Sequence, residues 1–187
     1  MLTKEEIEII NGCRKGDVTY QKMLYDKYGP MIKGVCLRYS SDMQEAEDLF
    51  HDVIVHVLTH FEEYDHITTL GGWLKTITSH KAIDMWRYKK NHDAVPSSHL
   101  PIEEPMDDKD HIYDGIPMNV LLEHIQKLPP KYRTAFNLYV IEEKNQTEIS
   151  TIMDEGLTNV RSLIFRAKQM LRKSIKKYLK NEEFNYE

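Results

Sequence analysis

The stretch that decides the fold is QTEISTIMDEGLTNVRSLIFRAKQML, residues 146–171. Apolar residues recur at helical spacing on both sides of a short polar turn at 154–156, which contains a glycine. After the turn, Val160, Ile164 and Ala167 follow at intervals of four and three, so they share one face of a longer helix. A short helix, a turn with glycine and a longer helix together predict a helix-turn-helix.

The opposite face of the second helix carries side chains that suit contact with DNA. These are Asn159, Arg161, Ser162, Phe165 and Arg166, and a basic helix end follows with Lys168, Arg172, Lys173, Lys176 and Lys177. In a helix-turn-helix the second helix enters the major groove, where guanidinium, amide and hydroxyl groups contact base edges or phosphates. This face predicts binding to duplex DNA. The alternative is an ordinary helical hairpin whose basic end complements the helix dipole.

Outward from this motif, helical periodicity covers most of the chain. Residues 1–90 predict several helices, the strongest amphipathic one at 46–61, and residues 118–181 predict several more. Residues 91–117 carry four prolines and no period, and no strand-like alternation of any length occurs. We therefore predict an all-α protein with two helical domains, 1–90 and 118–181, joined by a flexible acidic linker at 91–117 and followed by an acidic tail at 182–187.

Local signals predict where these helices begin and end. Residues 3–6 have the pattern of a capping box, and Asn119 is expected to cap the first helix of the second domain. The pair at 29–30, Gly-Pro, is expected to end a helix, and the two glycines at 71–72 are expected to precede one. Leu-Pro-Pro at 128–130 is expected to separate two helices, with a proline in the first turn of the second.

Charge is unevenly distributed along the chain, whose net charge is −5. Residues 118–181 hold twelve basic and six acidic residues, whereas residues 91–117 hold one lysine and seven acids. This asymmetry favours an anionic partner for the C-terminal domain, although a solvated charged face is an equal alternative from charge alone.

Composition restricts the class of protein further. Hydrophobic residues make up 41% and charged residues 29% of the 187 residues, as in ordinary globular domains. No apolar run approaches the roughly 20 residues of a membrane span, and the N-terminus has no apolar signal core. Cys13 and Cys36 are too few for a disulfide framework. We expect a cytoplasmic protein without membrane insertion.

A second group of residues mixes aromatic rings with positive charges between residues 73 and 90. It contains Trp73, Trp86 and Tyr88 together with Lys75, Lys81, Arg87, Lys89 and Lys90. Rings that stack on exposed bases and cations that follow phosphates suit single-stranded or melted nucleic acid. The alternative is that the tryptophans belong to the core, which is favoured for Trp73 and left open for Trp86.

A third group is a row of carboxylates, Glu45, Asp48 and Asp52, at intervals of three and four beside a buried helix face. Such a row fits acid–base chemistry, a divalent metal, docking of a basic protein surface or a solvated face. Asp52, His56 and His60 have the spacing of zinc ligands on one helix. However, no HExxH motif and no further ligand cluster occur, so we expect no metal site. No phosphate-binding loop, nucleophile elbow or dinucleotide motif occurs either, so we expect no enzymatic activity and no cofactor.

These residues resemble a known family. Ala46-Glu47-Asp48-Leu49, Trp73-Leu74-x-x-Ile77 and Ala82-Ile83-Asp84-x-x-Arg87 resemble the promoter-melting region 2 of bacterial sigma factors. Leu128-Pro129-Pro130-x-x-Arg133, Glu148-Ile149 and Val160-Arg161-Ser162…Arg166-Ala167-x-x-x-Leu171 resemble their region 4. The order of the fragments across residues 10–178, with only these two domains, is similar to the extracytoplasmic-function (ECF) class.

The resemblance implies a role for each group of residues. Asp48 and Asp52 match the acidic face that docks on the clamp helices of the largest subunit of core RNA polymerase. Trp73, Lys75, His80, Lys81 and Arg87 fall in the segment that opens and reads the minus-ten element. Residues 159–166 match the helix that reads the minus-thirty-five element, and region 4 also grips the polymerase flap. Members of this class are commonly held inactive by an anti-sigma factor.

Three departures from the family pattern affect individual contacts. His80 stands where the family usually has asparagine, so the resemblance does not specify which base is held at the melted edge. Leu163 stands where a basic residue is frequent, so a phosphate or base contact is expected to be absent at that position. The turn at 154–156, Asp-Glu-Gly, replaces the usual Gly-Ile-Ser. It therefore lacks the customary cap and one buried apolar residue, and the recognition helix is expected to start later or to sit at another angle.

The sequence therefore predicts an alternative sigma factor that binds core RNA polymerase and directs it to specific promoter DNA. The alternative is a helix-turn-helix regulator that binds duplex DNA without acting as a polymerase subunit. That alternative requires the helix-turn-helix, but neither the acidic row nor the aromatic and basic segment.

Overall fold

The computed structural model describes residues 2–61, 68–92 and 115–183. Every regular element in these ranges is helical, which confirms the all-α prediction. The chain divides into two compact units, Met1–Asp84 and Met85–Glu187. The predicted linker falls mostly on residues that the structure does not describe, as does most of the predicted tail, so the exact domain boundaries stay predictions. None of the described helices combines the length and the apolar character of a bilayer-spanning segment.

Four helices begin in the described residues of the first unit. They are α1 (Lys4–Arg14), α2 (Val18–Tyr39), α3 (Met43–Thr59) and α4 (Leu70–His92), which continues past the end of the unit. Helices α1 and α3 both pack on α2. The core of the unit consists of side chains from all four helices, including Ile9, Leu24, Ile32, Val53 and Leu74, together with Phe61, which follows α3.

The first turn of α1 contains the predicted capping box. Thr3 Oγ1 accepts a hydrogen bond from the Glu6 amide at 3.2 Å, and Glu6 Oε2 accepts one from the Thr3 amide at 2.8 Å. The Tyr28 hydroxyl on α2 donates to Glu6 Oε1 at 3.0 Å. The Thr3 amide lowers the pKa of Glu6, and burial raises the pKa of Tyr28 to about 12. The capping box thus also ties α1 to α2.

Two glycines shape the connection between α1 and α2. Gly12 is buried on α1, and a Cβ atom at this position would lie 2.1 Å from Cγ of Tyr20. The two helices therefore approach closely only because residue 12 has no side chain. Gly16 has a φ of 70°, in the left-handed region that glycine adopts without steric cost. Asp17 then caps α2 by accepting from the Thr19 amide at 2.8 Å.

Two predicted helix boundaries in this unit are wrong. Helix α2 continues through Gly29 and Pro30. Pro30 is exposed, and so is Asp26, whose carbonyl has no helical donor because Pro30 lacks an N–H. Leu24 and Ile32, on either side along the helix, are buried in the core. Burial of the flanking residues thus overrides the proline.

The second wrong boundary concerns the glycines at 71–72, which lie inside the first turn of α4 rather than before it. The Thr69 carbonyl already accepts a hydrogen bond from the Trp73 amide at 3.0 Å. The helix begins at Leu70, and this placement buries the Leu70 side chain in the core.

Both cysteines of the chain are buried and free in the first unit. Burial raises the pKa of the Cys13 thiol to about 11 and that of Cys36 to about 12. Both groups are therefore neutral thiols near pH 7, and they pack as small apolar residues.

The described part of the second unit contains four further helices and a π-helical segment. They are α5 (Met118–Gln126), α6 (Pro130–Phe136), the π segment (Asn137–Ile141), α7 (Gln146–Met153) and α8 (Leu157–Glu183). Helices α5, α6 and α7 all pack on α8. A buried apolar cluster joins α5, α6 and the middle of α8, and it contains Ile125, Leu128, Phe136, Ala167, Leu171 and Ile175.

The junction between α5 and α6 depends on a buried arginine. The Arg133 guanidinium is 2% exposed and donates to the carbonyl oxygens of Gln126 at 2.6 Å and Leu128 at 3.2 Å. It therefore satisfies acceptors that the end of α5 leaves without helical partners. Pro130 occupies the first turn of α6, as predicted. The prediction that Asn119 caps α5 is wrong, because α5 begins at Met118 after Pro117 and has no side-chain cap.

Candidate nucleic-acid interface

The turn between α7 and α8 keeps a tight geometry although it lacks the residues usual for such turns. Asp154 adopts the left-handed conformation with φ 51° and ψ 53° and ends α7. The Gly156 carbonyl accepts the first hydrogen bond of α8 from the Val160 amide at 3.0 Å. Helix α8 thus begins at Leu157, directly after the turn, and the expected later start does not occur.

Glu155 takes the place of the missing apolar residue in this turn. Its side chain is 11% exposed, and its Oε1 atom lies 2.8 Å from Nζ of Lys131 on α6. Its Oε2 atom accepts a hydrogen bond from Nδ2 of Asn159 on α8. Its backbone makes two hydrogen bonds with Ser150. The Glu155 amide donates to the Ser150 carbonyl oxygen at 3.1 Å, and the Ser150 hydroxyl donates to the Glu155 carbonyl oxygen at 2.6 Å. The carboxylate is therefore partly buried, with a partner at each oxygen.

Helix α7, which precedes the turn, begins with a capping box that the sequence analysis did not identify. The Asn145 side chain accepts from the amides of Thr147 and Glu148, both at 3.0 Å, and Glu148 Oε2 accepts from the Asn145 amide at 2.7 Å. The signal was present in the sequence, since Asn145 stands three residues before Glu148.

The two faces of α8 lie as predicted. Val160, Ile164 and Ala167 are buried, whereas Arg161 is exposed and the other predicted contact residues, Asn159, Ser162, Phe165 and Arg166, are partly exposed. Arg161 Nε donates to Oε1 of Gln146 on α7 at 2.9 Å. Asn159 and Arg161 are two positions apart, or about 200° around the helix, so they lie on opposite flanks of the exposed face. Each is bonded to a side chain outside α8.

Two residues of α8 differ from the prediction for this face. Leu163 is 5% exposed, so it is part of the core and does not stand at a vacant DNA contact. Thr158 is exposed in the first turn and was missed in the sequence analysis. It lies one residue before the predicted set, and N-terminal residues of a recognition helix commonly contact bases. Further along α8, Lys168 Nζ lies 5.1 Å from the ring centroid of Tyr139.

The aromatic and basic residues of α4 fall on different sides of the helix. Trp73, His80 and Arg87 recur at intervals of seven and share one side, whereas Lys75 lies about 200° around from Trp73. Trp73 is half-buried with its ring 5.0 Å from that of Phe61.

The candidate side chains of α4 also differ in how exposed they are. His80, Arg87 and Lys75 are exposed, and Lys81 is partly exposed. Trp86 is 7% exposed, which decides the open question for this residue in favour of the core.

The acidic row on α3 also divides into two parts. Asp48 and Asp52 are exposed one turn apart, with Leu49 and Val53 buried on the neighbouring face. Glu45 serves the start of its own helix, because its carboxylate accepts from the Ser41 amide while its own amide donates to Asp42 Oδ1 at 2.8 Å.

Comparison with known proteins agrees with this arrangement. The family model described as Sigma-70 region 2 matches residues 24–92, and the one described as Sigma-70, region 4 matches residues 118–171. Together they cover more than half of the chain. This chain belongs to the sigma-70 family.

Individual relatives point to the ECF group of sigma factors. The chain is 27% identical over 186 residues to the ECF RNA polymerase sigma factor SigW of Bacillus subtilis, covering 94% of this chain and 98% of the relative. It is 27% identical over 198 residues to the RNA polymerase sigma-H factor of Pseudomonas aeruginosa, covering 96% and 99%. Its fold resembles that of the sigma factor RpoE in a complex with the anti-sigma factor NepR from Bartonella quintana, with a TM-score of 0.50, 18% identity and coverage of 83% and 96%.

The histidine pair in region 2 of this sigma factor makes local contacts. The His56 and His60 rings stack with centroids 4.4 Å apart, and His60 Nδ1 lies 2.7 Å from Thr59 Oγ1 and 3.1 Å from the His56 carbonyl oxygen. Within residues 2–61, 68–92 and 115–183, no three histidine, cysteine or acidic side chains converge into a group that could hold a metal ion.

Proposed function

We propose that this ECF sigma factor binds core RNA polymerase and directs it to specific promoters. The observation that carries the proposal is the presence of both Sigma-70 regions on one chain, with the exposed face of α8 presented directly after a tight turn. The protein acts by binding alone and performs no covalent chemistry, and its place of action is the cytoplasm. The units responsible are residues 1–90 and 118–181, connected by the acidic linker at 91–117.

Region 4 reads the upstream promoter element as duplex DNA. Thr158, Asn159 and Arg161 lie in the first turns of α8, and Ser162, Phe165 and Arg166 extend the same surface. Arginine recognises guanine edges or phosphates, and amide and hydroxyl groups supply further base contacts. The basic end of α8 adds phosphate contacts, so binding decreases steeply with salt concentration.

Region 2 traps the melted minus-ten element on α4. Trp73, His80 and Arg87 share one side of that helix and Lys81 lies near it, so we assign the contact with unpaired bases to this side, with Lys75 contacting the backbone elsewhere. Unstacking a base costs a few kcal/mol. Preferential binding of the unpaired strand offsets this cost, so the open state is favoured by differential affinity.

Asp48 and Asp52 provide the docking site for the polymerase. Both carboxylates are exposed on α3, and a basic surface such as the clamp helices of the largest subunit is complementary to them. Region 4 contacts the flap of the polymerase. An anti-sigma factor is a further partner, as in the complex of RpoE with NepR.

In vitro transcription with purified core enzyme and a pool of genomic fragments tests the proposal. We expect the chain to confer initiation at discrete promoters, and Arg161→Ala and Arg166→Ala to reduce it at least tenfold, because each removes a charge-assisted contact of about 1–3 kcal/mol. Both variants should still co-purify with core polymerase. Lys22→Ala, which removes an exposed charge from α2, serves as the control. Absence of initiation from every fragment, despite active core enzyme, would exclude the proposed function.

A further inference from the structure

The partly buried carboxylate of Glu155, in the helix-turn-helix turn, determines how a neighbouring amide is oriented. The two oxygens of Glu155 have different partners, Lys131 Nζ at 2.8 Å from Oε1 and Asn159 Nδ2 at Oε2. Two hydrogen bonds with Ser150 on α7 hold the backbone of Glu155, and the contacts with Lys131 and Asn159 hold its carboxylate beside the first turn of α8.

Chemistry then dictates which atom of Asn159 faces Glu155. An ionised carboxylate accepts hydrogen bonds and has none to donate, so the amide nitrogen of Asn159 must face it. The carbonyl oxygen, Oδ1, must therefore point away from Glu155. Asn159 is partly exposed in the first turn of α8, on the flank of the predicted DNA-reading face. The amide thus offers an acceptor in a fixed direction instead of choosing freely between donor and acceptor.

Lys131 supports this arrangement. It occupies Oε1, which leaves Oε2 as the oxygen for Asn159, and its charge compensates a carboxylate that would otherwise repel DNA phosphates next to the recognition helix. The family's usual apolar residue at position 155 could neither bond nor orient Asn159.

We propose that Glu155 is a positioning residue that makes Asn159 a selective acceptor for the amino group of adenine or cytosine in the upstream promoter element. In the major groove, adenine N6 and cytosine N4 donate, whereas guanine O6 and thymine O4 accept. A fixed acceptor therefore favours amino bases over keto bases at the contacted strand position. This inference rests on the proposed reading role of α8.

The test uses holoenzyme assembled from core polymerase and the full chain, with a promoter library randomised across the upstream element. Wild-type holoenzyme should enrich adenine or cytosine about tenfold over guanine and thymine at one position, and Asn159→Ala should abolish that enrichment. Glu155→Gln should reduce it severalfold and allow keto bases, because a glutamine amide both donates and accepts and thus permits either orientation of Asn159. Glu123→Gln, an exposed residue of α5, removes the same charge and should leave the selected sequence unchanged.

Combined variants distinguish positioning from a merely structural role. In an Asn159→Ala background, Glu155→Gln should change no base preference, since Glu155 acts through Asn159. Lys131→Met should weaken the enrichment without removing it, and it replaces Glu155→Gln as the test if thermal denaturation shows that Glu155→Gln does not fold.

The other outcomes contradict either the inference about Glu155 or the proposed function. The inference is overturned if the folded Glu155→Gln variant, or Lys131→Met in its place, selects the wild-type sequence. It is also overturned if the position that depends on Asn159 prefers guanine or thymine. If wild-type holoenzyme selects no upstream sequence at all, the proposed function fails instead.

Discussion

The two units of this sigma factor hold their candidate functional side chains in different ways. In the first unit, Asp48, Asp52 and Lys75 are exposed on the surfaces of their helices. In the second unit, Asn159 and Arg161 are each bonded to a residue outside α8. Exposed charges act through long-range attraction and tolerate adjustment on contact. Side chains held by neighbours suit readout that depends on direction. From this difference we infer that the proposed docking in region 2 depends on charge and that the proposed recognition in region 4 depends on geometry.

The largest expected effect concerns the exposed carboxylates of α3 in the first unit. Reversal of both carboxylates, Asp48→Lys with Asp52→Lys, should weaken binding to core polymerase by about 3 kcal/mol, or roughly 100-fold, because like charges then face each other. Fluorescence anisotropy of the labelled chain titrated with core enzyme measures this. Glu8→Lys with Asp26→Lys makes the same change of charge on α1 and α2 and should bind normally. Equal affinities of the two double variants would remove the docking role from α3.

A second effect tests the close approach of α1 and α2, which supports region 2. Gly12→Ala should lower the free energy of unfolding by about 2 kcal/mol, because the added Cβ would meet the base of the Tyr20 side chain. Gly34→Ala is the matched control, since its Cβ would have no neighbour within 4 Å, and it should raise stability by about 0.5–1 kcal/mol. Chemical denaturation measures both, and changes of the same sign would contradict the packing described.

A smaller effect tests the geometry of the turn before α8 in the second unit. Asp154→Gly should stabilise the chain by about 0.5 kcal/mol, because glycine adopts the left-handed conformation without a steric cost. Glu142→Gly, at a residue with φ −97°, should destabilise it. Base selection by the Asp154→Gly holoenzyme should match that of wild type, since the contacts of Glu155 remain. A change in base selection would show that Asp154 also positions α8.

The smallest effect is a dependence of stability on pH in the first unit. Because the pKa of Glu6 is lowered in the folded chain, this carboxylate stabilises the fold above its ordinary value of 4.5, and the stabilisation disappears as the pH falls through the folded value. Glu6→Gln should therefore cost stability at pH 7 and much less at pH 3. Denaturation at both pH values measures the difference, and an equal loss at both would show that the contribution does not depend on ionisation.

Sequence reasoning succeeded where a local pattern and the core agreed. The capping box at Thr3, the apolar face at Val160, Ile164 and Ala167, and the proline that starts α6 all follow from spacing and backbone chemistry. The family was also recognisable, because fragments of both regions occur in order along one chain.

It failed where burial elsewhere in the fold outweighed a local signal. Pro30 stays inside α2 because Leu24 and Ile32, before and after it in the same helix, are buried in the core. Leu163 is a core residue although the family pattern suggested a surface position. Trp86 could not be assigned from its basic neighbours, since only packing decides its environment.

The candidate site shows the same limit. The residues of the α8 face could be named from periodicity, but the partners of Asn159 and Arg161 could not. Lys131 lies 24 positions from Glu155 and Gln146 lies 15 from Arg161, so only the folded chain brings them together. From the sequence, Glu155 was expected only to remove a buried apolar side chain from the turn. In the folded chain it forms an ion pair with Lys131 instead.

The burial of Cys13 and Cys36 has a practical consequence. The sequence has two cysteines, both lie in the first unit, and their raised pKa values keep the thiolate fraction small while the unit is closed. An alkylating reagent can then modify them only when this unit opens. The rate of cysteine alkylation therefore reports the opening of the first unit alone, because the second unit has no cysteine. A lower rate in the presence of a bound inhibitor would show that the inhibitor suppresses opening of the unit that carries α3.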